Sequence, residues 1–532
     1  MKTRVVAALV YTHRWLGIAG AVLFAVWFVS GVAMMYARMP RLSAEERLSR
    51  AAMLDLDRAR VDPSALAAAL PQPPQRLRVG MLGDRPVYRF QTGAVWTTVF
   101  ADSGDRHTDS TGDAALAVAR QFAPDCATTM QVAARVTEPD QWTLQLRGLL
   151  PAHKIAFADD AGTNLYVSEQ TGEPILVTTR RGRWLGLVSA VLHWIYFTPI
   201  RTHGELWNQL IIWTSLAGTV LCLTGLVWGV WRFSTHSRYH LRGIPYAHSP
   251  YVGMLKWHHY TGLVFGAFTL TWVFSGLLSM DPWDWSPSTA PTRAQRDALS
   301  GGPIRWNELT LDRLRVAALA LATEVPVKEI EILQFRGELV AEAFRAPGTV
   351  DALQVPLGDP GAVIAPRIAL PHALVRVVAP ERGVFPSFDR ATIEQSAQDA
   401  MPHVEVEEST WLSTYDNYYY GRARCEREPC LAPTLPVLRV KFKDAVSTWL
   451  YLDPDRGMIA RKEERLSRLN RWLYHGLHSL DFPWLYYRRP LWDIVVIALS
   501  IGGCVVSVTS APTGWRRLRR HARRFRATMR DG

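Results

Sequence analysis

The sequence predicts an α-helical integral membrane protein of four transmembrane helices in a tandem pseudo-two-fold repeat, with two periplasmic α+β domains. Three observations predict it. Four apolar runs, Trp15–Tyr36, Glu205–Trp231, Gly253–Met280 and Leu491–Thr509, are each about as long as the ~20 residues a bilayer core requires. Two blocks of sequence return, each at its own fixed offset. Basic residues gather on one side of the runs.

The first block surrounds His193. Leu192-His193, Phe197, Leu206-Trp207, Gly218, Thr224 and Gly229 recur at one constant offset as Leu477-His478, Phe482, Leu491-Trp492, Gly503, Thr509 and Gly514. The second surrounds His13. His13, Gly17, Trp27, Ser30-Gly31 and Met35 recur at a second, shorter offset as His258, Gly262, Trp272, Ser275-Gly276 and Met280. Spans one and three are therefore equivalent, and so are spans two and four. Both copies run in the same direction, so the implied axis lies along the membrane normal.

Charge sets the orientation. Lys2 and Arg4 precede the first span, Arg232, Arg238, Arg242 and Lys256 fill the connection between spans two and three, and eight arginines follow Trp515. Cationic flanks of this kind stay in the cytoplasm, where anionic lipid attracts them. An arginine cluster also suits nucleic acid, but this one directly follows an apolar run, which assigns it to the bilayer surface and leaves no nucleic-acid partner. The first run is too long for a signal peptide and lacks a small-residue cleavage site, so it reads as an uncleaved anchor.

The expected organisation follows in order: span one within 1–36, a periplasmic α+β domain at 37–182, an interfacial helix at 183–204 and span two at 205–231. A cytoplasmic loop at 232–252 leads to span three at 253–280. Then come the second periplasmic domain at 281–470, an interfacial helix at 471–490, span four at 491–510 and an Arg-rich tail at 511–532. Both termini are expected in the cytoplasm and the two long segments outside, in the periplasm if the membrane is a bacterial inner membrane.

Within the outer segments, Ala114–Phe122 and Leu311–Thr323 have amphipathic helical spacing. Gln141–Arg147 and Lys328–Phe344 alternate as strands do, the latter broken at a turn, Arg336-Gly337. Each domain closes on a strand and turn, Leu165–Val167 through Gly172 and Leu450–Leu452 through Gly457, separated again as His193 is from His478. The stretch 345–390 has no counterpart in the first copy. Cys425 and Cys430 lie in an oxidising compartment, which would permit a local disulfide; Cys126, Cys222 and Cys504 read as packing residues.

Four histidines are thus placed in duplicate, His13 and His258 at the cytoplasmic end of their spans, His193 and His478 at the outer face. Ionisable residues on membrane spans are costly and tend to be functional. Each layer offers one strong ligand per copy, two in all. A zinc site wants three or four, whereas two imidazoles across an axis suit the axial positions of haem. The reading is two b-type haems, one held by His13 and His258, the other by His193 and His478. His259 and His475 stand as alternates, each beside or one turn from its neighbour. No Cys-x-x-Cys-His occurs, which excludes covalent attachment. Trp27 and Trp272 lie between the two layers. No dinucleotide fingerprint, P-loop or hydrolase signature is present, so electrons would come from membrane quinol or a cytoplasmic donor. The run Tyr415–Tyr420, followed by Arg422 and Arg424, reads as a packed strand edge, with binding of a ferric chelate as its alternative. His107, His153, His372 and His403 are isolated and receive no role.

His-Arg-Trp-Leu-Gly (13–17) opening an apolar helix, Tyr-Leu-Asp-Pro-Asp-Arg-Gly (451–457) and Leu-His (477–478) resemble motifs of PepSY-associated transmembrane proteins. That family includes iron-regulated inner-membrane proteins and siderophore-iron reductases carrying b-type haem. The resemblance implies PepSY-like outer domains and electrons passed to a periplasmic ferric chelate. Its alternatives are a non-enzymatic, membrane-anchored binding or regulatory module, and a histidine-based metal transporter.

Overall fold

The structure, a computed structural model, describes residues 2–108, 111–235, 239–241, 244–345, 372–420, 434–486 and 488–528. Cys425, Cys430, Arg422, Arg424 and most of 345–390 lie outside the described residues. The chain divides into two compact units, Met1–Arg38 with Leu185–Ser286 and Leu469–Gly532, and Met39–Trp184 with Pro287–Arg468.

The first unit holds four long helices, α1 (Lys2–Tyr36), α2 (Gly204–Arg232), α3 (Met254–Leu278) and α4 (Leu491–Thr528). All four are long and apolar enough to cross a membrane. Being apolar on every side, they suit a lipid solvent. Helices α1 and α3 each pack against both α2 and α4, giving a four-membered bundle. Small residues let the backbones close up, as expected where lipid removes the hydrophobic drive for association. At Gly503 a Cβ would strike the Phe28 ring. The helices run further than the apolar pattern predicts. Helix α1 begins at Lys2 rather than near Trp15, and α4 continues through Pro512 to Thr528. The Arg-rich tail is therefore helical over most of its length, in keeping with arginine's good helix propensity.

The second unit is an α+β body. Its strands are β1 (Arg76–Leu82), β2 (Arg85–Thr92), β3 (Val95–Phe100), β4 (Met130–Val136), β5 (Ala152–Phe157), β6 (Asn164–Ser168) and β7 (Pro174–Thr178), then β8 (Val327–Phe335), β9 (Glu338–Arg345), β10 (His372–Arg376), β11 (Val406–Leu412), β12 (Val437–Phe442), β13 (Trp449–Asp453) and β14 (Met458–Glu463). Three antiparallel sheets result: β4-β5-β6-β7, β11-β12-β13-β14, and a six-stranded sheet ordered β10-β9-β8-β1-β2-β3. The central joint of that sheet is β1 against β8, with Leu77 opposite Ile332 and Val79 opposite Ile330. The segments 37–182 and 281–470, expected as two domains, thus share one sheet within one unit. Each contributes three strands, and their pairing removes two edges that would otherwise expose unpaired backbone groups.

Helix Leu311–Ala322 covers the six-stranded sheet through Leu314 and Leu321. Helix Gly112–Phe122 packs Ala115, Ala119 and Phe122 on one four-stranded sheet, and Arg390–Ala400 packs Ile393 and Ala397 on the other. Arg336 and Gly337 make the expected two-residue hairpin turn, with φ of 50° and 80°. The stretch Gln141–Arg147 is not a strand. Asp140 Oδ1 accepts from the Trp142 and Thr143 backbone amides at 2.9 Å, and this local turn outcompetes the alternating pattern.

A charged cluster lies inside the body. Glu329 on β8 receives Arg47 at 2.9 Å and Arg78 at 3.1 Å, and Glu173, in the β6–β7 turn, receives the same two arginines at 2.9 and 2.8 Å. Burial by itself would raise the Glu329 pKa, but Arg47 and Arg78 overcome it and hold the carboxylate well below the ordinary 4.5. A carboxylate with a depressed folded-state pKa contributes stability above its unfolded value, and that stability is lost as pH falls. Replacement Glu329→Gln, which leaves Glu173 as the one carboxylate shared by two buried guanidinium groups, is expected to destabilise the body by about 3–5 kcal/mol in denaturant unfolding. The same variant is expected to lose part of the wild type's additional acid sensitivity below about pH 4.5; unchanged stability and an unchanged acid limb would contradict the assignment.

Candidate functional site: paired histidines in the helix bundle

The elements carrying His193 and His478 are built alike. Each is preceded by a stretch of π-helix, Leu187–Val191 in one and Arg471–Gly476 in the other. A π-turn admits one extra residue and rotates the side chains that follow, a feature common at functional sites. Each short helix then stops on a non-glycine residue in the left-handed region, Ile195 at φ 53° and Leu480 at φ 49°. That conformation is strained for a branched side chain. An indole secures each turn: Trp207 Nε1 donates to the Trp194 carbonyl, and Trp492 Nε1 to the Ser479 carbonyl, both at 2.9 Å. All of these contacts correspond at the offset between His193 and His478. Periodicity conveys neither the π-turns nor the left-handed stops.

The structure brings the four predicted histidines together in two pairs. The ring centres of His13 and His258 are 6.2 Å apart, and those of His193 and His478 are 6.0 Å apart. Each Nδ1 is engaged by a carbonyl of a neighbouring helix. His13 Nδ1 lies 3.1 Å from Leu221 O on α2, and His258 Nδ1 lies 3.0 Å from Val506 O on α4. His193 Nδ1 lies 3.2 Å from Trp27 O on α1, and His478 Nδ1 lies 3.1 Å from Trp272 O on α3. Ser30 and Ser275 hydroxyls add contacts of 3.1 and 3.0 Å to the second pair. A carbonyl can only accept, so every Nδ1 carries the proton and every Nε2 the lone pair. This is how proteins orient imidazoles that ligate metals. At Gly225 on α2 a Cβ would sit 2.5 Å from His13 Cε1, so only glycine admits that ring.

The alternates are separated by the same test. Both ring nitrogens of His259 are used, Nδ1 with Ser249 Oγ at 2.7 Å and Nε2 with Gly229 O at 2.8 Å. His259 is buried and ties the α2–α3 connection to α2. His475 lies with its ring 4.4 Å from that of Tyr474, and it is His478, one turn on, that faces His193.

Fourteen residues separate His13 from Trp27, and His258 from Trp272, so the two pairs lie about 21 Å apart along the bundle. An aromatic cluster fills the interval. Phe24, Phe28 and Val273 are buried there with Trp27 and Trp272 against them, Phe28 and Trp272 having ring centres 5.8 Å apart. Among the described residues no group of three or more His, Cys, Asp or Glu is placed to hold a metal ion. The Tyr415–Tyr420 run forms no strand. Tyr419 is buried and stacks on Tyr451 at 5.2 Å and 9°, while Asp416 accepts from the Tyr451 hydroxyl at 2.9 Å and from Arg439 at 3.1 Å. Much of that segment is spent on packing.

Four apolar helices carrying or flanking two half-buried histidine pairs define a multi-pass membrane protein with its candidate site within the bundle. Residues 10–308 match the PepSY-associated TM region family, and the chain belongs to that family. His13, His193 and His258 fall within the matched stretch and His478 beyond it. Comparison with curated proteins finds no match.

The indole contacts are the accessible test of how the His193 element is held. Trp207→Phe keeps the ring volume nearest the helix and removes the donor. It is expected to lower stability by about 0.5–1.5 kcal/mol in thermal unfolding of the detergent-solubilised chain; no change would show that the Trp194 carbonyl is held by other contacts.

Proposed function

We propose that this protein is a di-haem oxidoreductase of the bacterial inner membrane. On this reading it passes electrons across the bilayer to a periplasmic acceptor, the iron of a ferric siderophore. The observation that carries the reading is the pairing of imidazoles at two depths. Two imidazoles whose nitrogens each lie about 2 Å from one metal have ring centres about 6 Å apart, and the two pairs stand at 6.2 and 6.0 Å. The donor set fits as well: neutral imidazoles, proton fixed on Nδ1, lone pair on Nε2. His13 with His258 would hold one b-type haem and His193 with His478 the other. Bound there, haem iron would supply one-electron redox chemistry.

The chain's own residues do the remaining work. Leu221, Val506, Trp27 and Trp272 carbonyls fix each ring's tautomer and direction. The bundle excludes water, and Phe24, Trp27, Phe28 and Trp272 fill the space between the pairs. The distribution of Lys and Arg supports termini in the cytoplasm and the α+β body in the periplasm. The two fixed offsets, which relate the histidines and their hydrogen-bond partners alike, support a tandem duplication with a pseudo-two-fold axis along the membrane normal.

The full chain purified in mild detergent from haem-replete cells is expected to be red, with a Soret band that shifts on reduction and about two haems per chain, one for each pair. His13→Ala or His258→Ala is expected to remove about half of the haem, and His193→Ala or His478→Ala the other half. A colourless protein would contradict the proposal and leave a non-enzymatic module. Bound metal without haem would favour a transporter.

A further inference from the structure

A groove of about 500 Å³ opens on one side of the bundle between α1 and α4. Phe28, Val29 and Val32 form one wall and Ser500, Ile501 and Val505 the other, with apolar atoms making up nearly all of its surface. The groove breaks the correspondence between the two halves. At the offset that carries His13 to His258, Val29 and Val32 become Phe274 and Leu277, larger side chains on the equivalent face of α3.

Three side chains with polar atoms line this surface, and two of them are engaged: Thr509 Oγ1 donates to Val505 O at 2.7 Å and Cys504 Sγ to Ala25 O at 3.9 Å. Ser500 is 5 % exposed and lines the groove, and its hydroxyl makes no hydrogen bond among the described residues. Hydroxyls on membrane helices can return to a carbonyl one turn back. Thr219, Thr269, Ser507 and Thr509 do so, at 2.8, 3.0, 3.1 and 2.7 Å. Ser215, the counterpart of Ser500 on α2, makes no such bond among the described residues, but it does not line this groove. Ser500 is nine residues into α4, about 14 Å from its start and so near mid-bilayer. An uncompensated hydroxyl at that depth calls for a partner.

We infer that the groove binds a prenylated quinone or quinol, its ring oxygen meeting Ser500 Oγ, its ring lying along Phe28 and its tail following Ile501 and Val505. Depth selects this occupant. A phospholipid keeps its oxygens at the hydrocarbon boundary, about 15 Å from the midplane, and would leave Ser500 unpaired. A prenylated quinone carries oxygen on a ring that enters the hydrocarbon. Phe28 also belongs to the aromatic cluster between the histidine pairs. A donor within the bilayer is a consequence that rests on the haem reading; the binding site does not.

The test is saturable binding of a tritiated decyl-benzoquinone to the full chain in nanodiscs, read against empty nanodiscs. Binding is expected at about one site per chain, weakened about three- to tenfold in Ser500→Ala. Val29→Phe, which copies the larger residue of the other half, is expected to abolish it, and Phe274→Val to leave it unchanged. Equal competition by decylbenzene, which lacks ring oxygens, would overturn the inference, as would undiminished binding in Ser500→Ala. A colourless protein that binds the quinone would sink only the haem proposal; a red protein that does not would sink only this one.

Discussion

A membrane helix satisfies its own backbone, so a carbonyl that also accepts a hydrogen bond from a neighbouring helix ties the two together at one point. Four such ties organise this bundle: His13 to Leu221, His258 to Val506, His193 to Trp27 and His478 to Trp272. Each fixes a tautomer and aims a ring. Because the ties come in corresponding pairs, they set two imidazoles facing each other at each of two depths. The π-turns, left-handed stops and indole contacts around His193 and His478 serve the same end, since they deliver those rings to α1 and α3.

The α+β body solves a different problem by a related device. Its halves present matching strand edges and join them, β1 to β8, into one sheet. Buried arginines and glutamates from the short helix Ala44–Ser49, from strands and from a turn then lock the sheet to its neighbours. Charges so placed are costly unless paired, so they specify one arrangement more than they add stability.

Much of this was legible in the sequence. The spans, the histidines and their pairing partners followed from residues that recur at fixed offsets, because the contacts that hold them recur too. The hairpin at Arg336-Gly337 was legible because its turn chemistry is local. The pairing of β1 with β8 was not, since strand choice between segments so distant in the chain leaves no local signature. Gln141–Arg147 misled because Asp140 captures the backbone before a strand can form. The choice of His258 over His259 needed the Ser249 and Gly229 contacts, and the groove beside Ser500 needed the packing of α1 beside α4.

The proposed function depends on whether each histidine pair clasps one iron. Low-temperature electron paramagnetic resonance of the oxidised, purified chain addresses that directly. Iron held between two neutral imidazoles is expected to give low-spin ferric signals from two distinct centres. High-spin signals alone, or no ferric haem signal at all, would contradict the account.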